Sequence, residues 1–125
     1  MNFSLKTDHT NKLIRYKHSG VIRKEDIGLA WDELLKITEF TSQGYNLLSD
    51  YSDSKITGTI SEIDDIIDIL SNLKEILKGK KQALLVDDPV STALSLFFEN
   101  RVLDEVGFIV RVFSTKEEAL KWLTT

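Results

Sequence analysis

The chain contains no cysteine. That excludes disulfides, thiol catalysis and cysteine metal sites, and it fits a reducing compartment. A single proline, Pro89, stands in the whole sequence, and the six glycines are scattered singly, so there is no glycine-rich phosphate loop. No apolar run approaches the roughly 20 residues needed to span a bilayer. Positive charge is not clustered: the net charge is −4, with acidic and basic residues mixed along the chain. Nucleic acid is therefore not an expected partner, because phosphate contacts need a concentrated basic surface. The two histidines, His9 and His18, have no spacing to carboxylates that suggests a metal site, and no serine elbow accompanies them. The first residues lack the basic head and apolar core of a signal peptide, so a cytoplasmic location is expected. Repeats, low-complexity tracts and linkers are also missing. One domain over residues 1–125 is the expectation.

What is present is a regular alternation of strand and helix patterns. Phe3 and Leu5 alternate with polar neighbours, and Leu13 to His18 reads as a second strand ended by Gly20, so the two predict a hairpin. Arg23 to Thr38 carries Ile27, Ala30, Trp31, Leu34 and Leu35 at helical spacing. Tyr45 to Leu48 predicts a strand that stops at Ser49-Asp50, followed by a polar loop from Tyr51 to Thr59. Ile60 to Leu77 is the most regular helix pattern, with Ser61 as its expected N-cap and Glu62, Asp64 and Asp65 in its first turn. Ala83 to Val86 reads as a buried strand. Asp88 as N-cap and Pro89 at the first position predict the next helix, with Val90, Ala93, Leu94 and Phe97 as its stripe and Leu96 and Phe98 off it. Phe108 to Phe113 predicts the last strand, and Ser114 to Glu117 has the form of a capping box before a final helix. The order β-β-α-β-α-β-α-β-α predicts an α/β fold: a mostly parallel sheet, an N-terminal antiparallel hairpin and four helices.

Three stretches stand out: Gly20 with Arg23-Lys24-Glu25-Asp26, then Leu47-Leu48-Ser49-Asp50, and the ending from Val112 to Leu123. They resemble the SpoIIAA-like (STAS) fold of anti-sigma-factor antagonists, which is itself similar to the lipid-binding Sec14 domain. The ending is similar to the close of a bacterial family of STAS/SEC14-domain proteins. Anti-sigma-factor antagonists carry a phosphorylatable serine in an Asp-Ser-Ser-Gly tetrad after the third strand. Here Ser52 to Ser61 occupies that place without the tetrad, so the phospho-switch is not carried over.

Three groups of residues are candidates. Ser54, Thr59 and Ser61 precede or open the helix from Ile60, where a phosphate would meet free N–H groups but also the repulsion of Glu62, Asp64 and Asp65; a capping role for Ser61 is the simpler expectation. Asp50, Asp87 and Asp88 are predicted at the carboxyl ends of two parallel strands, where open sheets bind ligands and where carboxylates can hold Mg²⁺; helix capping by Asp88 and solvent exposure of the others is the simpler expectation. Ile69 and Ile76 flank the main stripe and, with Trp31, Leu96 and Phe98, exceed what one amphipathic helix face needs. They predict a partner or homodimer surface, or the lining of a small apolar pocket, unless neighbouring helices cover them. The resemblance implies a non-catalytic binding or regulatory module acting by protein–protein contact, without a cofactor, using the helix from Ile60 and the segment before it. A small apolar-ligand (lipid) binder of Sec14 type is the alternative, and an Mg²⁺-dependent enzyme using the aspartates a further one.

Overall fold

The computed structural model describes residues 2–125. Five strands and six helices follow one another: β1 (Phe3–Asp8), β2 (Leu13–Ile22), α1 (Lys24–Leu34), α2 (Thr38–Thr41), β3 (Asn46–Ile56), α3 (Ile60–Ser71), α4 (Lys74–Leu77), β4 (Lys81–Leu85), α5 (Pro89–Val106), β5 (Ile109–Phe113) and α6 (Lys116–Leu123). The strands form one sheet in the order β1-β2-β3-β4-β5, with β1 antiparallel to β2 and every other pair parallel. The expected α/β architecture and hairpin are therefore present, with two short helices, α2 and α4, added to the expected four.

A strand order that only advances has a geometric consequence. Right-handed crossovers between successive neighbours deliver every connecting helix to the same face. Accordingly α1, α3 and α5 cover the face that carries Ile14, Tyr16, Leu47, Tyr51, Leu84 and Val110. The opposite face is covered by α6, which packs on Leu13, Leu48 and Ala83 through Ala119 and Leu123. Arg15 and Lys17 stand on that second face, and both keep contact with solvent.

Local chemistry explains where the elements differ from expectation. The segment Tyr51 to Ile56, expected as loop, continues β3. The pairing with β2 slips there: Lys17 faces Asp50, but Ser19 faces Asp53. The extra residue is a bulge, and it moves the inward-facing set of β3 from Leu47, Ser49 and Tyr51 to Ser54 and Ile56. Next to the slip, the His18 carbonyl accepts a hydrogen bond from Ser54 Oγ at 2.6 Å. The expected long helix to Leu77 breaks after Ser71. Ser71 Oγ and Asn72 Nδ2 both donate to the Asp68 carbonyl, side chains competing for a helix acceptor. The expected helix to Thr38 ends at Leu34, and the chain restarts at Thr38 after an extended Ile37. Two caps lie one or two residues from their expected positions. Thr59, not Ser61, caps α3 in a full capping box with Glu62, and Thr115, not Ser114, accepts from the Glu118 N–H. Asp88 with Pro89 opens α5 as expected, and Gly107 closes it in the left-handed region at φ 78°.

Candidate functional site

The helix-covered sheet face carries an uncommon amount of polarity for a core. His18, Tyr16, Tyr51, Ser49 and Gln82 lie on it, all buried. Gln82 Nε2 donates to Ser49 Oγ at 2.8 Å, and the Tyr16 hydroxyl meets His18 Nδ1 at 2.9 Å. Burial pushes the Tyr51 phenol up to about 12, against hydrogen bonds from Ser49 and Tyr16 that pull it back. Burial likewise raises the Tyr16 phenol and lowers the His18 imidazole, so both stay neutral at ordinary pH. The result is a row of neutral polar groups running across β2, β3 and β4.

Above this row α5 presents small residues. Its buried face begins with Ser91 and Ser95 and continues to Val102 and Val106. Ser91 is satisfied, since its hydroxyl accepts the Ile56 N–H at 2.9 Å and ties the helix start to the end of β3. Ser95 is not: its Oγ is buried without a hydrogen-bond partner, and so is Gln82 Oε1. Both residues are 3% exposed.

Gln82 and Ser95 share the wall of one cavity of about 60 Å³ that opens to solvent. Ile27 and Trp31 of α1, Ile63 and Ile66 of α3, and Leu94 and Phe98 of α5 enclose it from above. Tyr51, Ile56 and Leu84 complete its sheet side, and no charged side chain lines it. A smaller space of about 30 Å³ shares Ile27, Ile56, Ile63, Ile66 and Leu94 and is bounded at the start of α3 by Gly58, Thr59 and the charged Lys24 and Glu62. The site is thus an apolar channel between three helices and the sheet, and Gln82 and Ser95 of its lining each keep one buried polar atom without a partner.

The expected site residues are distributed differently. Ser54 is 5% exposed, its hydroxyl held by the His18 carbonyl. Thr59 caps α3 beside the smaller space, while Ser61 is an exposed residue of the first turn. Ile69 is 59% exposed, and Ile76 is half-buried against the core. The three aspartates do not converge. Asp50 lies within β3 on the α6 face rather than at the strand end. Ser52 Oγ donates to it at 2.6 Å, with Lys17 Nζ at 3.5 Å and Lys116 Nζ at 3.9 Å. Burial raises its carboxyl, but the Ser52 hydrogen bonds and the two lysines outweigh this and hold it below the usual range. Asp88 accepts the Ser91 N–H at 3.0 Å as an N-cap, and Asp87 is exposed. Among the described residues no three His, Asp or Glu side chains come together to hold a metal ion. Gln82, Ser95 and Tyr51 were not singled out by the sequence; the available signal was Ser91 and Ser95, four apart on a helix face that continues with Val102 and Val106.

No protein-family model matches this chain, and no curated protein matches it. Among solved structures it is similar to an uncharacterised protein of the DUF3478 family with a SpoIIAA-like fold from Shewanella loihica PV-4. The TM-score is 0.61 at 15% identity, over 98% of this chain and 94% of that one. The five-stranded sheet, its N-terminal hairpin and its helix layers accordingly make this a SpoIIAA-like fold.

Proposed function

We propose that residues 1–125 form one STAS-like domain that binds a small apolar molecule, without catalysis, in the channel beneath α1, α3 and α5. One observation carries this reading. An apolar cavity of about 60 Å³, open to solvent and lined by no charged side chain, lies between three helices and the sheet. The apolar-ligand alternative from the sequence thereby moves ahead of the protein-contact one. Xenon tests it, because xenon enters dry apolar cavities irrespective of polar complementarity. The chain has two indoles, Trp31 at the cavity and Trp122 on the α6 side, so one spectrum contains both reporter and control. Under xenon pressure the Trp31 indole N–H signal shifts with saturation while that of Trp122 stays. Equal, linear shifts of both would remove the reading. Native mass spectrometry of fresh protein then shows whether a ligand co-purifies.

The protein-contact reading retains one supporting observation. Ile69 of α3 and Leu96 and Leu103 of α5, two helices packed on each other, are exposed apolar side chains. Sedimentation velocity over a concentration series tests its homodimer form, and a constant single-chain mass would eliminate it.

A further inference from the structure

We infer that Glu99 is an edge guard: its carboxylate occupies the outer backbone of β5 and so keeps a second copy of this chain from extending the sheet there. Nothing in this depends on the cavity.

β5 ends the sheet, so one side of its backbone has no neighbouring strand. The register decides which groups lie on that side. The Ile109 N–H donates to the Lys80 carbonyl, and the Phe113 carbonyl accepts the Val86 N–H. Alternate residues of a parallel strand bond to the same neighbour, so Ile109, Arg111 and Phe113 bond toward β4. Val110 and Val112 therefore direct their N–H and C=O groups outward. Such an edge invites pairing: Ile109-Val110-Arg111-Val112-Phe113 has four apolar strand formers, one charge and no proline. β1, at the opposite edge, carries both Lys6 and Asp8.

Two features close β5. The first is Glu99 of α5, whose Oε1 accepts the Val112 N–H at 3.0 Å. An added strand would run about 4.8 Å from β5 and bring a carbonyl to that same N–H. The carboxylate already stands in its place, and because it only accepts, it repels the incoming carbonyl. The second is Arg111. A two-fold pairing of β5 with β5 of a second copy, using both outward residues, sets Val110 opposite Val112 and Arg111 opposite its own symmetry mate. Like charges directly opposite work against that pairing.

The test compares wild type, Glu99→Ala and Glu99→Ala with Arg111→Thr over a concentration series, by sedimentation velocity and by ¹⁵N NMR of the Val110 and Val112 amides. In dilute Glu99→Ala the Val112 amide is expected to exchange at least about tenfold faster than in wild type, having lost a charged acceptor. With rising concentration the mass of the variant doubles and both amide signals shift. The double variant associates about fivefold more tightly still, since the opposed arginines are gone. In wild type the two amides stay fixed. The β5 amides decide: a concentration-dependent shift in the variants and not in wild type supports the guard. A shift in wild type as well, or in neither variant, overturns it, whatever association occurs through α3 and α5. Where Glu99→Ala does not fold, Glu99→Asp with Arg111→Thr makes the same comparison, because the shorter side chain withdraws from Val112.

Discussion

Substitution of Ser95 by alanine is expected to stabilise the unliganded protein, against the usual direction for a change at a buried position. The Ser95 hydroxyl is buried without a partner in the middle of α5. An orphaned hydroxyl costs about 1–3 kcal/mol, and exchanging serine for alanine within a helix adds about 0.5 kcal/mol in favour of the variant. Against this stands the slightly larger cavity. Removing one oxygen opens about 10–15 Å³, which at about 24 cal/mol per Å³ costs about 0.3 kcal/mol. Taking the low end of the first figure leaves a net gain of about 1 kcal/mol. Globular chains unfold with about 2.1 cal/mol/K per residue, so for a chain of this size that gain raises Tm by about 4 °C. Paired urea and thermal unfolding of wild type and Ser95→Ala measure it, with an unchanged urea slope showing that the unfolded state is the same. A Tm equal to or below wild type, at equal slope, would refute the reasoning. It would mean that the hydroxyl already has a partner.

Further outcomes follow from other buried or strained groups. Lys80 is 8% exposed, and its ammonium donates to the Phe40 and Tyr45 carbonyls at 2.8 and 2.9 Å. Lys80→Met leaves both acceptors unpaired and is expected to cost about 2–3 kcal/mol in urea unfolding; a loss under 0.5 kcal/mol would show that the carbonyls find water. Burial also lowers the Lys80 pKa, so the unfolded chain holds this proton more tightly than the folded one. Its contribution to stability therefore rises with pH from the depressed folded pKa up to the ordinary 10.5, and a wild-type-minus-Met stability difference that falls over that alkaline window contradicts this. Gly58 has φ 140°, and a Cβ there would meet Glu62 Oε1 at 3.2 Å. Gly58→Ala strains the backbone and disturbs the α3 capping box, with an expected loss of about 1–2 kcal/mol; a neutral result rejects it. Hydrogen bonds from Asn11 and the neighbouring Arg15 hold the Asp8 carboxyl at about 2, below its ordinary 3.8. Its stabilisation is full above pH 3.8 and is lost as pH falls toward 2, so Asp8→Asn should unfold less steeply with acid than wild type in that window.

The chain order of strands and helices was legible because period and punctuation agreed. Alternation marked β1 and β2, and Asp88-Pro89 and Gly107 bracketed α5. The second half of β3 was not legible, because a bulge breaks the alternation that announces a strand, and the inward residues after it include Ser54, which reads as a loop residue. The phase of α5 also departs from its hydrophobic pattern. Leucines, phenylalanines and alanine suggested a stripe through Val90 and Ala93, yet both are exposed, and the serines turn inward. Hydrophobicity orders a helix face only when the core beneath it is apolar, and here the sheet offers Ser49, Tyr51 and Gln82. The same inversion hid the candidate site: its distinctive atoms belong to Gln82 and Ser95, residue types that a pattern search assigns to the surface. Asp50 drew notice through its place after Leu47-Leu48, but the lysines that neutralise it come from β2 and α6, distant in sequence.

The unbroken succession β1-β2-β3-β4-β5 also shapes how the protein can be made. During synthesis from the N-terminus, each new strand adds to the free edge of what is already paired, and no strand has to be threaded between two earlier ones. The hairpin can act as a template from the moment it leaves the ribosome. The channel is finished late, because its Gln82, Ser95 and Phe98 lie beyond the first three strands. A nascent chain can therefore possess half of its sheet before the cavity beneath α1, α3 and α5 exists.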